Sequence, residues 1–230
     1  MRVEDPISLS KILGLLIVLV LIALPVNAKE NTLPADQVEK LLQETTSQYE
    51  TIKTLAASFT QVRSTRLLKE PAVTKGKFYY QKPAKFLWQF TDPYTISVMS
   101  EGKFLYKVDQ DRGVYSKLKV KKYESTIMNF MDVSKAFTFL NKYFYIKQID
   151  TKLKDLYIIF IPKKRRVKKH VKLVEVWLYP DTRLFHRIKV EEKDDSVTEI
   201  TFHHCKINQK LPAGVFDISL KGLKKEKWQE

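Results

Sequence analysis

The sequence predicts an α+β fold: an antiparallel sheet curved around helices. Three observations carry this reading. From Gly76 to Val108, apolar and aromatic residues alternate with polar ones in short runs broken at Lys82-Pro83, Asp92-Pro93 and Glu101-Gly102, the pattern of strands joined by tight turns. The alternation resumes after residue 155. Two other segments instead carry apolar residues at helical spacing. A sheet with one greasy face must cover it with a second layer or with a ligand.

Residues 1–28 read as a signal peptide rather than as fold. Arg2 and Lys11 precede an apolar run from Ile12 to Leu24, and Pro25-Val26-Asn27-Ala28 supplies small residues before a cut. That run is shorter than the roughly 20 residues a spanning helix needs, so cleavage after Ala28 and export as a soluble chain are expected. The remainder suits one domain, expected over 29–222, with a basic, frayed tail at 223–230. Cys205 is the single cysteine, which excludes an intrachain disulfide. Stability must come from apolar burial, and a chain that is 44% hydrophobic and 12% aromatic can supply it.

The elements follow in order. Asp36 to Leu55 is expected to be helical, with Val38, Leu41, Leu42, Thr45, Tyr49 and Ile52 on one face and Asp36, Glu39, Lys40, Gln43 and Glu44 on the other. Ala57, Phe59 and Gln61 then alternate with Ser58, Thr60 and Val62, a strand, and residues 63–73 form a polar loop. Within the four strands that follow, Phe78, Tyr80 and Lys82 share a face, as do Phe86, Trp88 and Phe90, and Phe104, Tyr106 and Val108. A turn at Asp109 to Gly113 leads to a strand near Val114 to Val120. From Tyr123 to Tyr145 the period becomes helical again (Ile127, Phe130, Met131, Ser134, Phe137, Leu140). Strands return at Leu156–Ile161, Leu173–Tyr179, Leu184–Val190 and Val197–His203, with turns at Pro180-Asp181-Thr182 and Lys193 to Ser196.

No catalytic constellation stands out. Six glycines build no phosphate-cradling loop, and there is no His-Glu-x-x-His, Cys-x-x-Cys or Gly-x-Ser-x-Gly. In His203-His204-Cys205 only His203 and Cys205 can converge on one face of a strand, and no third ligand accompanies them. Glu191-Glu192 and Asp194-Asp195 read as solvated turn carboxylates. The sequence therefore argues against an enzyme, and neither a cofactor nor a metal is expected.

The net charge of +15 is uneven. Lys163, Lys164, Arg165, Arg166, Lys168, Lys169 and Lys172 crowd one hairpin tip, and Lys117, Lys119, Lys121 and Lys122 form a second cluster. The aromatics lie in strand interiors rather than among these cations, so nucleic acid is not the expected partner. An anionic membrane surface or an acidic protein fits better, with a solvated basic face as the alternative.

Five blocks in order carry a resemblance. Ser58-Phe59-Thr60-Gln61, then Gly76, then Lys82-Pro83-Ala84-Lys85-Phe86-Leu87-Trp88, then Ser100-Glu101-Gly102-Lys103-x-Leu105 resemble the Ser-Phe-Thr-Gln, Arg-Pro-Asn-x-Phe-x-Trp and Ser-Asp-Gly-Lys-x-Leu blocks of the periplasmic outer-membrane lipoprotein carriers, the LolA family. Phe160-Ile161-Pro162-Lys163, and Glu192-Lys193-Asp194-Asp195 leading to Leu211-Pro212-x-x-x-Phe216, extend the likeness from about Pro34 to Gly222.

The resemblance implies a strongly curved antiparallel sheet, an incomplete β-barrel, with helices covering its concave face as a lid and a cavity there for acyl chains. On it the cavity is expected to be lined by Phe59, Phe78, Tyr80, Phe86, Trp88, Phe90, Val98, Tyr106, Phe130, Met131 and Phe137. It also implies a monomeric periplasmic carrier that takes lipoproteins from an inner-membrane ATP-driven extractor and passes them to an outer-membrane acceptor. A carrier of another lipid, or a lipid-responsive envelope regulator of the same fold, is the alternative. The family's arginine latch, which bonds to lid carbonyls, corresponds to Lys82 here, and Ala84 stands where the family has asparagine. Lysine keeps the charge but loses the planar five-donor fork.

Overall fold

A computed structural model describes residues 35–83, 85–101, 104–119, 133–151, 154–165, 167–217 and 219–228. The expected leader and its cut after Ala28 lie outside these residues, as do Phe130, Met131 and Arg166. Among the described residues no helix is long and apolar enough to cross a membrane.

Helix α1 spans Ala35–Glu50 and stops before the end its apolar spacing suggests. Thr51, Ile52 and Thr54 are β-branched and favour extended backbone. Asn208 also takes over the orphaned groups at this junction. Its Oδ1 accepts from the Lys53 amide at 2.7 Å, and its Nδ2 donates to the Thr51 carbonyl at 3.2 Å. Leu55, expected on the helix, therefore belongs to strand β1 (Thr54–Ser64).

Strands β2 (Ala72–Gln81), β3 (Lys85–Asp92), β4 (Ile96–Glu101), β5 (Phe104–Asp109) and β6 (Val114–Lys119) follow as an antiparallel meander. The second helical segment is shorter than its spacing suggests. A 3-10 turn at Val133–Lys135 leads into α2 (Ala136–Tyr143), and Phe144–Asp150 is strand β7. Phe144, Tyr145 and Ile146 are aromatic or β-branched, and their strand preference wins once they pair with the next strand. Strands β8 (Leu156–Pro162), β9 (Val171–Leu178), β10 (Phe185–Glu192) and β11 (Val197–Ile207) complete a second meander.

A last short strand, β12 (Lys224–Glu226), corrects the expectation of a frayed tail. It pairs parallel with β6, the Lys224 amide reaches the Gly113 carbonyl at 2.9 Å, and Arg112 bonds Glu226 at 3.1 Å. The two meanders meet where β1 pairs with β11 over Leu55 to Ser64. One twelve-stranded sheet results, in the order β12-β6-β5-β4-β3-β2-β1-β11-β10-β9-β8-β7.

Curvature is legible in the ring contacts. Trp88 on β3 and Phe202 on β11 are three strand spacings apart, about 14 Å in a flat sheet, yet their ring centroids are 6.0 Å apart. The expected fold class is the one observed: a curved, unclosed, almost wholly antiparallel sheet with few helices. Gly76 allows part of the curve. A Cβ there would lie 2.0 Å from the Gln89 carbonyl oxygen and 2.6 Å from the Phe59 ring. Phe59 lies across the glycine in the gap a side chain would fill. Gly76→Ala is expected to lower stability by about 1–3 kcal/mol or more through overpacking, read as a shifted denaturation midpoint with unchanged slope. An unshifted midpoint would mean that β2 and β3 can separate without loss.

Candidate functional site

The concave face is a continuous aromatic surface. Register places Leu55, Ala57 and Phe59 of β1 opposite Tyr80, Phe78 and Gly76 of β2, and those opposite Phe86, Trp88 and Phe90 of β3. Val98 on β4 and Phe202 on β11 extend the rows. Phe59 tilts against Trp88 at 4.9 Å and meets Phe90 edge-on at 5.4 Å, while Phe78 tilts against Trp88 at 5.0 Å. Of the residues expected to line a cavity, Phe59, Phe78, Tyr80, Phe86, Trp88, Phe90, Val98 and Phe137 share this one cluster.

Tyr106 does not. It pairs with Met99 on the convex side, where Leu87, Met99 and Tyr106 pack beneath Val215, Phe216 and Leu220. Phe104, Tyr106 and Val108 do share a face, but period two fixes only that they lie together. Which face they take depends on the pairing with β4. The Leu211–Phe216 block noted in the sequence thus covers the outer surface. A shallow cleft of about 290 Å³ beside it is lined by Thr54, Gln81, Lys85 and Asp217 among others.

The helices roof the concave face. Tyr49, fully buried near the end of α1, sits 4.9 Å from Phe137 of α2 and stacks on Phe185 of β10 at 5.6 Å. Its hydroxyl accepts a hydrogen bond from the Phe185 amide at 2.8 Å, and burial drives its pKa well above the ordinary tyrosine value. It remains a neutral phenol joining both helices to the sheet. Tyr49 belonged to the apolar face already legible on the helix. Phe185 and Phe202 are its partners from late strands, which spacing alone could not bring to it.

Two lysines hold the helix ends. Lys82, just past β2, donates from Nζ to the carbonyl oxygen of Glu50 at 3.0 Å, and its amide donates to Lys53 O at 2.8 Å. The helix reached is α1, at its final residue, where carbonyls lack intrahelical partners and a cation is favoured. Lys163 does the same for α2, donating to the Asn141 carbonyl at 2.6 Å beneath the Tyr145 ring. Lys163 is therefore committed to the fold, a correction to its place among the surface contacts. Lys164, Arg165, Lys168 and Lys169 stay exposed.

A polar layer closes one end of the concave face. Arg63 bonds both carboxylate oxygens of Glu192, at 3.0 and 3.4 Å, and Thr198 Oγ1 at 2.9 Å. Glu192 is buried, not the solvated turn carboxylate expected from its neighbours, and burial raises its pKa although Arg63 pulls it down. Beside it, Gln61 Oε1 and Thr74 Oγ1 are buried without a hydrogen-bond partner among the described residues, as is Trp88 Nε1 further along.

His203 and Cys205 do not converge. His204 takes a left-handed backbone (φ 53°), and the register with β1 shifts there. His203 bonds Thr60 Oγ1 at 3.2 Å on the outer side, while half-buried Cys205 packs against the concave cluster, its thiol pKa raised by burial.

Residues 50–219 match the family model described as outer membrane lipoprotein carrier protein LolA. An outer-membrane lipoprotein carrier protein of Methylococcus capsulatus is 32% identical over 96 residues, 42% of this chain and 43% of that protein. One from Legionella pneumophila (strain Lens) is 22% identical over 185 residues, 75% of this chain and 82% of the other. The chain thus spans less than half of the Methylococcus protein's length. Among solved structures, an uncharacterized conserved protein from Thermus thermophilus superposes with a TM-score of 0.54 at 7% identity, covering 83% of this chain and 99% of that one. A likeness at that identity is one of fold.

Proposed function

Because this chain belongs to the outer membrane lipoprotein carrier family LolA, we propose that it is a periplasmic carrier that holds the acyl chains of lipoproteins against its concave aromatic face. One observation carries the reading: a curved face of Phe59, Phe78, Phe86, Trp88 and Phe90 is roofed by helices rather than by a second sheet. Each acyl CH₂ taken from water contributes about 0.8 kcal/mol, so a lipoprotein does not cross an aqueous compartment alone at a useful rate. A face that exchanges helix contacts for acyl contacts gains little net energy, which suits a carrier that must also release. An inner-membrane ATP-driven extractor as donor and an outer-membrane acceptor complete the proposal.

The test is gel filtration of the purified protein with a triacylated lipopeptide. Co-elution is expected for the acylated peptide and not for the same peptide without acyl chains. Failure of the acylated form to co-elute removes the proposal.

Lys82 gives a second expected result. Its bond to Glu50 O favours the closed roof, and an exposed cation at a helix C-terminus contributes about 0.3–1 kcal/mol. Lys82→Leu is expected to retain bound lipopeptide but slow its transfer to acceptor membranes by about two- to fivefold. Lys82→Arg, with a donor fork able to bridge several carbonyls, should tighten the empty closed form. Equal transfer by wild type and Lys82→Leu would mean that this contact does not bias release.

A further inference from the structure

Three loops gather at one end of the sheet. Register puts the end of β1 beside the starts of β2 and β11, and the end of β10 beside the start of β9. Residues 65–71, 163–165 with 167–170, and 193–196 therefore sit side by side. Side chains and backbone tie them together. Arg66 of the first loop and Lys172 at the base of the second both bond Asp195 of the third, Lys172 also bonds Glu191 at 2.9 Å, and the Lys193 amide reaches His170 O at 2.9 Å.

What this end presents to solvent is unusual in two independent ways. Leu67 and Leu68, at the tip of the first loop, are 87% and 46% exposed, and Val73 beside them is 49% exposed. Adjacent large aliphatic side chains at a loop tip add nothing to the core cluster, whose members they do not join. Next to them the sequence KKRRVKKH at 163–170 carries six lysines and arginines and no carboxylate. Lys163 is committed to the α2 carbonyl, but Lys164, Arg165, Lys168 and Lys169 are exposed, and Lys69 adjoins the leucines.

We propose that this end of the sheet docks on an anionic bilayer surface, with Leu67 and Leu68 entering the headgroup region and Lys164, Arg165, Lys168 and Lys169 meeting the lipid phosphates. The chemistry selects this occupant. Apolar tips beside a loop of cations match an interface that is anionic outside and hydrocarbon within, and the exposed carboxylates of this end, Glu70 and Asp194, are outnumbered by Arg66, Lys69, Lys164, Arg165, Lys168 and Lys169. An acidic protein would satisfy the cations but gives the leucines no reason to stand in water. The tie through Asp195 matters because it holds the leucine loop and the cationic loop at one level, so both can engage together. The roof contact at Lys82 lies at the opposite end of β2, so docking here leaves the α1 terminus free.

The experiment is sedimentation of the purified protein with phosphatidylglycerol vesicles and, separately, with phosphatidylcholine vesicles. Binding to the anionic vesicles is expected to exceed binding to the neutral ones by at least about tenfold and to fall by a similar factor at about 0.5 M salt, where charges are screened within a few ångströms. Lys164→Gln, Arg165→Gln, Lys168→Gln and Lys169→Gln together should abolish the preference for anionic lipid. Leu67→Ser with Leu68→Ser should weaken binding about tenfold while leaving the salt dependence in place, and both residues are exposed, so the variant should fold. A fluorophore-bearing variant, Leu67→Trp, should shift its emission to the blue on anionic vesicles. Equal binding to both lipids, or unaltered binding by the leucine variant, overturns the proposal. Lipopeptide co-elution by the same variants reads the concave face separately, so loss of docking with retained loading distinguishes the two.

Discussion

Trp88→Asp is expected to leave no folded protein at room temperature, while Trp88→Leu should fold with reduced stability. Trp88 is 9% exposed and its ring touches Phe59, Phe78 and Phe202 at 4.9, 5.0 and 6.0 Å. Removing a buried aromatic side chain destabilises by about 3–5 kcal/mol. Aspartate adds a carboxylate with no cation in the aromatic rows that surround it, several kcal/mol more unless it takes up a proton. Against a total stability of about 5–15 kcal/mol, the sum removes most or all of it. Leucine keeps apolar volume and forfeits only part. Circular dichroism during urea titration separates the outcomes: a cooperative transition for Trp88→Asp near that of wild type would mean the indole is dispensable to the core.

The second large effect concerns Arg63. With Arg63→Met, Glu192 keeps its burial and loses the guanidinium that bonds both its oxygens. Breaking a buried pair by removing one partner destabilises by about 3–5 kcal/mol. The pH dependence has a definite sign. Burial already raises the Glu192 pKa above its ordinary value, so the folded state holds this proton more firmly than the unfolded chain does. Its contribution is most favourable at low pH and declines as pH rises from the unfolded carboxylate value, about 4.3, through the folded one. Removing Arg63 removes the influence that lowers the folded value, so the window widens. Arg63→Met should therefore be most destabilised near neutral pH and least near pH 4, by the same denaturant midpoint. Adding Glu192→Gln should flatten the dependence. A pH-independent loss would place the effect in packing of the arginine stem instead.

Much of this molecule was legible in its residues because its strands alternate cleanly. Phe78 and Tyr80 share a face of β2 by period alone, as do Phe86, Trp88 and Phe90 of β3, and register lays the two rows on one side. The order of the blocks from Ser58 to Phe216 pointed to the family whose model matches residues 50–219. What failed were choices that local spacing leaves open. Tyr106 obeyed the same period as Trp88 and took the other face, since nothing within a strand says which side is inner. Phe144 and Tyr145 fall at the end of the helical segment and residues 146–150 in no element, and only pairing with β8 joins them as one strand. Lys163 read as one more surface cation because the carbonyl it caps is twenty-two residues away in sequence. Glu192 read as a solvated turn residue because its arginine lies on β1, at the far end of the chain. Leu67 and Leu68 stand inside a loop whose composition is otherwise polar, and two adjacent leucines between Arg66 and Lys69 are the signal that marks them.

The seam between β1 and β11 has a consequence for the order of assembly. Phe59 pairs with Phe202, so the sheet is completed at its middle by a strand synthesised long after its neighbour. Contacts so distant in sequence form slowly, because the intervening chain must first be brought together. A nascent chain threaded through a membrane from its N-terminus would present β1 to β6 first. Until Val197–Ile207 arrives, β1 offers an open edge with unpaired amides. Over the same interval Phe59, Phe78 and Trp88 lack Phe202. A stalled or truncated chain ending before β11 thus combines a free strand edge with an uncovered aromatic face, the two features that make folding intermediates self-associate. The interval between emergence of the sixth strand and the eleventh is when this chain is most prone to self-association.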